Sequence, residues 1–235
     1  MVFGLFASKE QLKEQFLHWW KIGHLINAAK FGEKLVRKDP EDFQNLHDLG
    51  VVYLQFDMPE RVLDLLESAN ALHESSLHWN NIGRACQALE KFKEAQDTYA
   101  KARELDPDDP QPWYNISVCQ REAGDMDGSY KTLIEISEAF PDHAGTHNDI
   151  ALHLESGGDF DMAVARLDDA LRADPDYDAA RQNIVRILCA QNSLERATTY
   201  LNHWKQKGRP VEVDTRKNTI QIRLNGFVIY ERKRE

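Results

Sequence analysis

The sequence predicts an all-α protein of about six consecutive helix–turn–helix units, followed by a short C-terminal β-hairpin. A leucine or isoleucine recurs about every 34 residues, and each period contains two amphipathic segments separated by turn-forming residues. Near residue 220 the apolar pattern changes to a period of two, which is typical of a strand. The repeated residue in successive units is Leu49, Ile82, Ile116, Ile150 and Ile184.

The first helix of each unit is predicted from apolar residues at offsets of 0, 3, 4 and 7, which form one face of a helix. Trp79 and Trp113 begin this pattern in the clearest copies. The residue after the repeated leucine or isoleucine is small in most units, and small side chains allow two helices to approach closely. These small residues are Gly50, Gly83, Ser117 and Ala151.

The second helix of each unit contains a recurring alanine and is followed by a proline, which a helix cannot continue through. The alanines are Ala28, Ala95, Ala163 and Ala197, and the prolines are Pro40, Pro107, Pro141 and Pro175. Residues that tolerate the left-handed conformation separate the two helices, and Glu90 is the exception. They are Gly23, Asp57, Gly124, Gly158 and Asn192.

Together, the tryptophan, the isoleucine–small pair, the alanine and the closing proline resemble the tetratricopeptide repeat family, which has the same 34-residue period. The resemblance covers residues 9–210 and implies a right-handed superhelical solenoid. Its repeats are expected near 9–42, 43–75, 76–109, 110–143, 144–177 and 178–210, after an N-terminal arm at 1–8. Phe16 fills a small position and Gly32 a large one, so the first repeat is expected to be distorted or to serve as an N-terminal cap.

Residues 211–235 form a predicted C-terminal segment in which Asn225-Gly226 is a strong signal for a two-residue hairpin turn. This turn would place Leu224 opposite Phe227 and Ile222 opposite Ile229, and residues 211–215 could add a third strand. The predicted apolar face consists of Ile220, Ile222, Leu224, Phe227 and Ile229. An isolated hairpin is marginally stable, so this face must be covered. Two interpretations stay open: it caps the last repeat, or it pairs with a second copy or a partner's sheet edge.

Composition narrows the possible partners and the compartment. The net charge is −10, which argues against nucleic acid because phosphate binding depends on a surplus of Lys and Arg. Three widely spaced cysteines favour a reducing compartment, and we expect a cytoplasmic protein. No stretch approaches the length of a membrane helix, so membrane contact is not expected. The apolar start at residues 1–6 is expected to pack on the first helix, with contact to a membrane or partner as the alternative.

The sequence contains no motif that predicts catalysis, a metal site or a cofactor, and we do not expect an enzyme. His143 and His147 have a spacing that zinc sites use, but His147 occupies the position of Trp79 and Trp113, which predicts a packing role.

The family resemblance implies that a ligand binds the concave face, which is lined by the first helix of each repeat. The predicted binding residues are Asn80, Asn81, Arg84, Tyr114, Asn115, Arg121, Asn148, Asn183 and Arg186. Leu54 and Glu155 are predicted to line the same face. Glu155 is the one acid among the predicted groove positions of repeats three to six, so the groove is expected to be less acidic than the rest of the array. The arginines therefore favour a ligand with acidic groups.

An Asn or Asp stands directly before the repeated leucine or isoleucine, as in Asn81, Asn115 and Asn183. In family members with an asparagine ladder these amides hold an extended peptide backbone; alternatively, asparagine is simply common at this position. Family members that bind chaperone tails use a Lys–Asn–Arg clamp. Lys13 matches one clamp position, but Leu17 replaces the asparagine, so chaperone-tail binding is not predicted.

The predicted function is a non-enzymatic adaptor that binds a protein or peptide segment. The alternative is a homo-oligomerising scaffold or assembly factor that associates through residues 211–235.

Overall fold

The computed structural model describes residues 7–215 and 219–233, and the expected arm at residues 1–6 lies outside them. The described residues form twelve helices and three strands. The helices are α1 (Lys9–Lys21), α2 (Leu25–Lys38), α3 (Phe43–Gln55), α4 (Pro59–Leu72), α5 (Ser76–Ala88), α6 (Phe92–Leu105), α7 (Pro110–Glu122), α8 (Met126–Ala139), α9 (Ala144–Ser156), α10 (Phe160–Ala173), α11 (Asp178–Ala190) and α12 (Leu194–Gln206). The strands are β1 (Val211–Asp214), β2 (Thr219–Leu224) and β3 (Phe227–Lys233).

The turn inside each helical hairpin contains one residue in the left-handed conformation. The φ angles are positive at Gly23, Asp57, Gly124, Gly158 and Asn192, as the sequence predicts. Glu90 also has a φ of 58°, so the apparent exception in the sequence has the same backbone conformation as its equivalents. The geometry of the hairpin therefore overrides the preference of the side chain at this position.

The chain divides into two compact units, with the boundary between Thr132 and Leu133 inside α8. In the first unit each of the helices α1 to α6 packs on the next helix along the chain, ending with α6 on α7. In the second unit α9 packs on α10, α10 on α11, and α11 on α12. Each unit has its own apolar core, which includes Tyr99 in the first unit and Trp204 in the second.

The two helices of a hairpin approach each other closely at one position, where a glycine on one helix faces a large side chain on the other. A Cβ atom added to Gly83 would lie 2.5 Å from Cε1 of Tyr99, and one added to Gly50 would lie 3.0 Å from Cδ2 of Leu66. In the first hairpin the sizes are exchanged, because a Cβ on Gly32 would lie 3.1 Å from Cε2 of Phe16. The α1 helix has the 13 residues of α3 and α5, and α2 has the 14 of α4 and α6. The first hairpin therefore also matches a large side chain with a small one, with the two sizes exchanged between its helices.

The C-terminal strands form an antiparallel sheet of order β1-β2-β3. The third strand and the pairing of Leu224 with Phe227 are as predicted. The predicted pairing of Ile222 with Ile229 is wrong: Ile222 lies opposite Tyr230, because a register shift between Ile222 and Arg223 places one extra residue in β3.

The predicted apolar face of the sheet is only partly correct. Ile220, Ile222 and Leu224 are buried in the same core as α11 and α12, and Ile229 packs against that core. Phe227 lies at the hairpin turn and is 77% exposed, so it does not share in this burial. Burial of β2 against the last helices is the contact that the capping interpretation requires.

We expect Gly83→Ala to lower the free energy of unfolding by roughly 1–3 kcal/mol, because the new methyl group overlaps the Tyr99 ring. The double variant Gly83→Ala/Tyr99→Leu recreates the combination of Ala151 and Leu167 found at the equivalent positions of the fifth repeat. Its loss of unfolding free energy should be smaller, by about 1 kcal/mol, than the sum of the losses in the two single variants. Urea unfolding followed by far-UV circular dichroism measures each value. Gly157→Ala is the control, since its Cβ would meet no atom closer than 3.4 Å. Strictly additive losses would show that the two side chains are not matched in size.

Candidate functional site

The first unit contains a cleft of about 360 Å³ beside α5, α6 and α7. Arg84 and Asn115 are the two predicted binding residues that line it; Tyr114 and Arg121 lie half-buried on α7 and do not line it. The lining residues are Arg84, Gln87, Ala88, Tyr99, Asn115, Val118 and Glu122. The cleft therefore combines a cation, amides, a hydroxyl group and an apolar wall at Val118.

A chain of hydrogen bonds fixes the wall of the cleft. The Tyr99 hydroxyl donates to Oε1 of Gln87 at 2.8 Å, and Nε2 of Gln87 donates to Oε2 of Glu122 at 2.6 Å. Burial raises the pKa of Tyr99 above its usual range, so the hydroxyl stays protonated and remains a donor. Both ends of the Gln87 amide are thus held, which links α5 to α6 and α7.

The predicted asparagines form contacts between helices. Nδ2 of Asn115 donates to Oδ1 of Asn80 at 2.8 Å, and Oδ1 of Asn115 accepts from Nε2 of Gln111 at 2.8 Å. The Asn115 amide keeps one further proton and one further lone pair for another partner. Asn81 is 4% exposed, so its burial leaves little surface for a peptide backbone.

Arg84 is the exposed cation of the cleft. It donates one long hydrogen bond, from Nη1 to Oδ1 of Asn81 at 3.4 Å. In residues 7–215 and 219–233, Arg84 forms no ion pair with a protein carboxylate. Its guanidinium group is therefore able to take a bidentate anionic partner.

The second unit uses its predicted binding residues differently. Nδ2 of Asn183 donates to Oδ1 of Asn148 at 2.9 Å, and Asn148 is buried. Arg186 donates from Nη2 to Oε2 of Glu155 at 2.7 Å, and a second bond joins its Nη1 to Oε1 of the same carboxylate. The positive charge expected from Arg186 in the binding surface is therefore matched by an internal acid.

A histidine pair lies where α3 meets α5. The rings of His47 and His78 have centroids 5.0 Å apart, and both residues are buried. Nδ1 of His78 lies 3.1 Å from Oδ1 of Asn70, whereas Nδ1 of His47 is buried with no hydrogen-bond partner among the described residues. Burial lowers the pKa of both imidazoles, and the neighbouring His47 lowers that of His78 further. The pair is therefore neutral in the folded protein near pH 7.

His147, one of the two histidines whose spacing is used by zinc sites, is buried and contacts the backbone of the preceding connection. Nε2 of His147 lies 2.7 Å from the carbonyl oxygen of Pro141, and Arg181, at the equivalent position, donates to the carbonyl of Pro175. In the part of the chain that the structure describes, no three His, Cys, Asp or Glu side chains are grouped to hold a metal ion.

The cysteines are buried, and burial raises the pKa of Cys119 and Cys189 to about 11. These thiols are therefore poor nucleophiles at neutral pH.

Sequence reasoning missed two elements of this site. The Tyr99 hydroxyl was not expected in the cleft, since its ring position predicts packing alone. The pairing of Arg186 with Glu155 was also missed. A signal exists in their separation of 31 residues, which places them on successive first helices of neighbouring hairpins.

Comparison with known proteins identifies the architecture. Residues 87–147 and 154–212, slightly more than half of the chain, match the family model described as tetratricopeptide repeat. The chain belongs to the tetratricopeptide repeat family. Proteins of this family typically serve as non-enzymatic scaffolds for interactions between proteins.

Solved structures of other tetratricopeptide repeat proteins show the same fold. PilF of Pseudomonas aeruginosa is 14% identical, with a TM-score of 0.65 over 85% of this chain and 91% of its own. MamA is 20% identical, with a TM-score of 0.59 over 68% and 94%. YrrB, described as having an unusual peptide-binding site, is 21% identical, with a TM-score of 0.54 over 74% and 90%.

The helices in residues 7–215 and 219–233 have 13 or 14 residues. None of these helices is long and apolar enough to cross a membrane.

The histidine pair predicts acid sensitivity. His47 and His78 have folded-state pKa values below their unfolded value of about 6.5, so the unfolded chain binds more protons as the pH falls. The free energy of unfolding should therefore have its full value above about pH 6.5. It should decrease as the pH is lowered towards the depressed pKa values of the two histidines. Urea unfolding of the wild type and of His47→Gln/His78→Gln at a series of pH values measures this loss. The double variant should lose less stability on acidification than the exposed control His18→Gln, and equal pH slopes would contradict the assignment.

Proposed function

We propose that this tetratricopeptide repeat protein is a non-enzymatic adaptor that binds an acidic peptide segment in the cleft beside α5, α6 and α7. The observation that carries the proposal is the exposed guanidinium group of Arg84, which lines a preformed cleft and forms no ion pair with any acid that the structure describes.

The cleft offers each type of contact that a short peptide needs. Arg84 supplies a charged fork for a carboxylate, Asn115 has one donor and one acceptor left for a backbone amide, and Val118 supplies an apolar wall. The carboxylate of Glu122 lines the same cleft and accepts from Gln87. A ligand acid is therefore expected at the Arg84 end, away from Glu122.

The overall charge restricts the kind of ligand. At a net charge of −10 the protein repels polyanions at long range, so we propose a peptide with one or two acidic residues among apolar ones. YrrB, a protein of the same fold, is described as having an unusual peptide-binding site, which supports peptide binding as the activity. We place the adaptor in the cytoplasm, since three free cysteines suit a reducing compartment.

Arg84→Glu should abolish binding of acidic peptides, and Arg84→Gln should weaken it about 10–100-fold, as expected for loss of a charge-assisted hydrogen-bonded pair. The measurement uses an array of ten-residue peptides with one glutamate between apolar residues and a matched array with glutamine. Fluorescence anisotropy then gives the affinity of the best peptide. Lys93→Glu, on the exposed surface of α6, is the control for net charge. Equal retention of the Glu and Gln peptides, or unchanged affinity in Arg84→Glu, would rule out this site.

Self-association through the C-terminal sheet is the second candidate function. Exposure of Phe227 (77%) and Val228 (47%) favours it, although burial of Ile220, Ile222 and Leu224 already covers most of the apolar face. Sedimentation velocity across a wide range of protein concentration tests it. A dimer that is lost in Phe227→Ser and kept in the exposed control Glu231→Gln would support association, whereas a concentration-independent monomer would exclude it.

A further inference from the structure

Arg84 and Arg186 occupy equivalent positions in the two units. Each lies two residues after the repeated isoleucine, and each donates to the asparagine that precedes that isoleucine. The distances are 3.4 Å from Nη1 of Arg84 to Oδ1 of Asn81 and 3.3 Å from Nη2 of Arg186 to Oδ1 of Asn183. The protein therefore contains the same Asn–Arg arrangement twice.

The two arrangements differ in what faces the guanidinium group. Glu155 on α9 binds Arg186 through both carboxylate oxygens, in the bidentate geometry that arginine offers to carboxylates. The Glu155 side chain is 18% exposed and that of Arg186 is 40% exposed, so solvent still reaches the pair.

The residue equivalent to Glu155, on the first helix of the hairpin before Arg84, is a leucine. Glu155 lies five residues after Ile150 on α9, and Leu54 lies five residues after Leu49 on α3. Leu54 carries no charge and so cannot neutralise a cation, and Arg84 forms no ion pair within the described chain. The two arginines therefore differ in the residue at one equivalent position, on the first helix of the preceding hairpin.

We propose that Glu155 is an internal ligand that closes a second carboxylate-binding site at Asn183 and Arg186. The corresponding site at Asn81 and Arg84 is open because Leu54 supplies no carboxylate. That Arg84 binds a ligand carboxylate rests on the proposed function. Since Glu155 is tethered beside Arg186, its effective concentration exceeds that of any free carboxylate, and the second site stays closed. The bond pattern of Glu155 also specifies the ligand chemistry: a carboxylate that accepts two parallel hydrogen bonds.

Exchange of the two residues tests the inference. The probe is acetate, titrated against chloride at constant ionic strength, and the readout is the NMR resonance of each assigned arginine Nε–H group. In the wild type we expect a saturable shift at Arg84 and none at Arg186. Glu155→Leu should produce a saturable shift at Arg186, and Leu54→Glu should abolish the shift at Arg84.

Two further variants keep the result interpretable. Glu155→Gln preserves the shape of the side chain and should also open Arg186, even where Glu155→Leu fails to fold. Glu195→Leu removes an exposed acid from α12 in the same unit and should leave Arg186 unresponsive. Absence of a shift at Arg186 in both Glu155 variants would overturn the inference. A shift at Arg186 in those variants without one at Arg84 in the wild type would instead reject the proposed Arg84 site alone.

Discussion

The fold depends on one steric constraint: the helices of a hairpin approach most closely where a small side chain on one meets a large side chain on the other. Gly83 accommodates Tyr99, and Gly50 accommodates Leu66. The first hairpin satisfies the same constraint in reverse, with Phe16 on the first helix and Gly32 on the second. Close packing therefore requires that the two facing side chains match in size, and it does not require one particular residue at either position.

This constraint explains how much of the fold could be predicted from the sequence. The period of the isoleucines locates the helices, since burial of one face at each turn must recur with the repeat. Glu90 and Phe16 were harder to place because each breaks a local preference and is corrected by its surroundings: a hairpin that imposes a positive φ at one, and a matching glycine at the other. The register shift beside Ile222 left no trace in the alternation of β2, because the additional residue lies in β3.

The candidate site was predictable in its residue types and less so in its pairings. Periodicity places Arg84, Asn115 and Arg186 on the first helices of their hairpins, but it does not give the distance between the first helices of neighbouring hairpins. That distance decides whether Arg186 reaches Glu155 and whether Asn115 reaches Asn80. Side chains with spare hydrogen-bonding capacity bind each other wherever neighbouring helices allow it, so the surface available to a partner is smaller than the repeat pattern suggests.

Tyr99 has two structural roles. Its ring fills the large position of the third hairpin, and its hydroxyl group holds Gln87 in the wall of the cleft. The equivalent residue is leucine in four other repeats, Leu66, Leu133, Leu167 and Leu201, which provide bulk without a polar group. Mutational drift from tyrosine to leucine here would preserve a recognisable repeat and leave Oε1 of Gln87 without this donor, so the repeat pattern of a descendant would not reveal whether the wall of the cleft is still held in place.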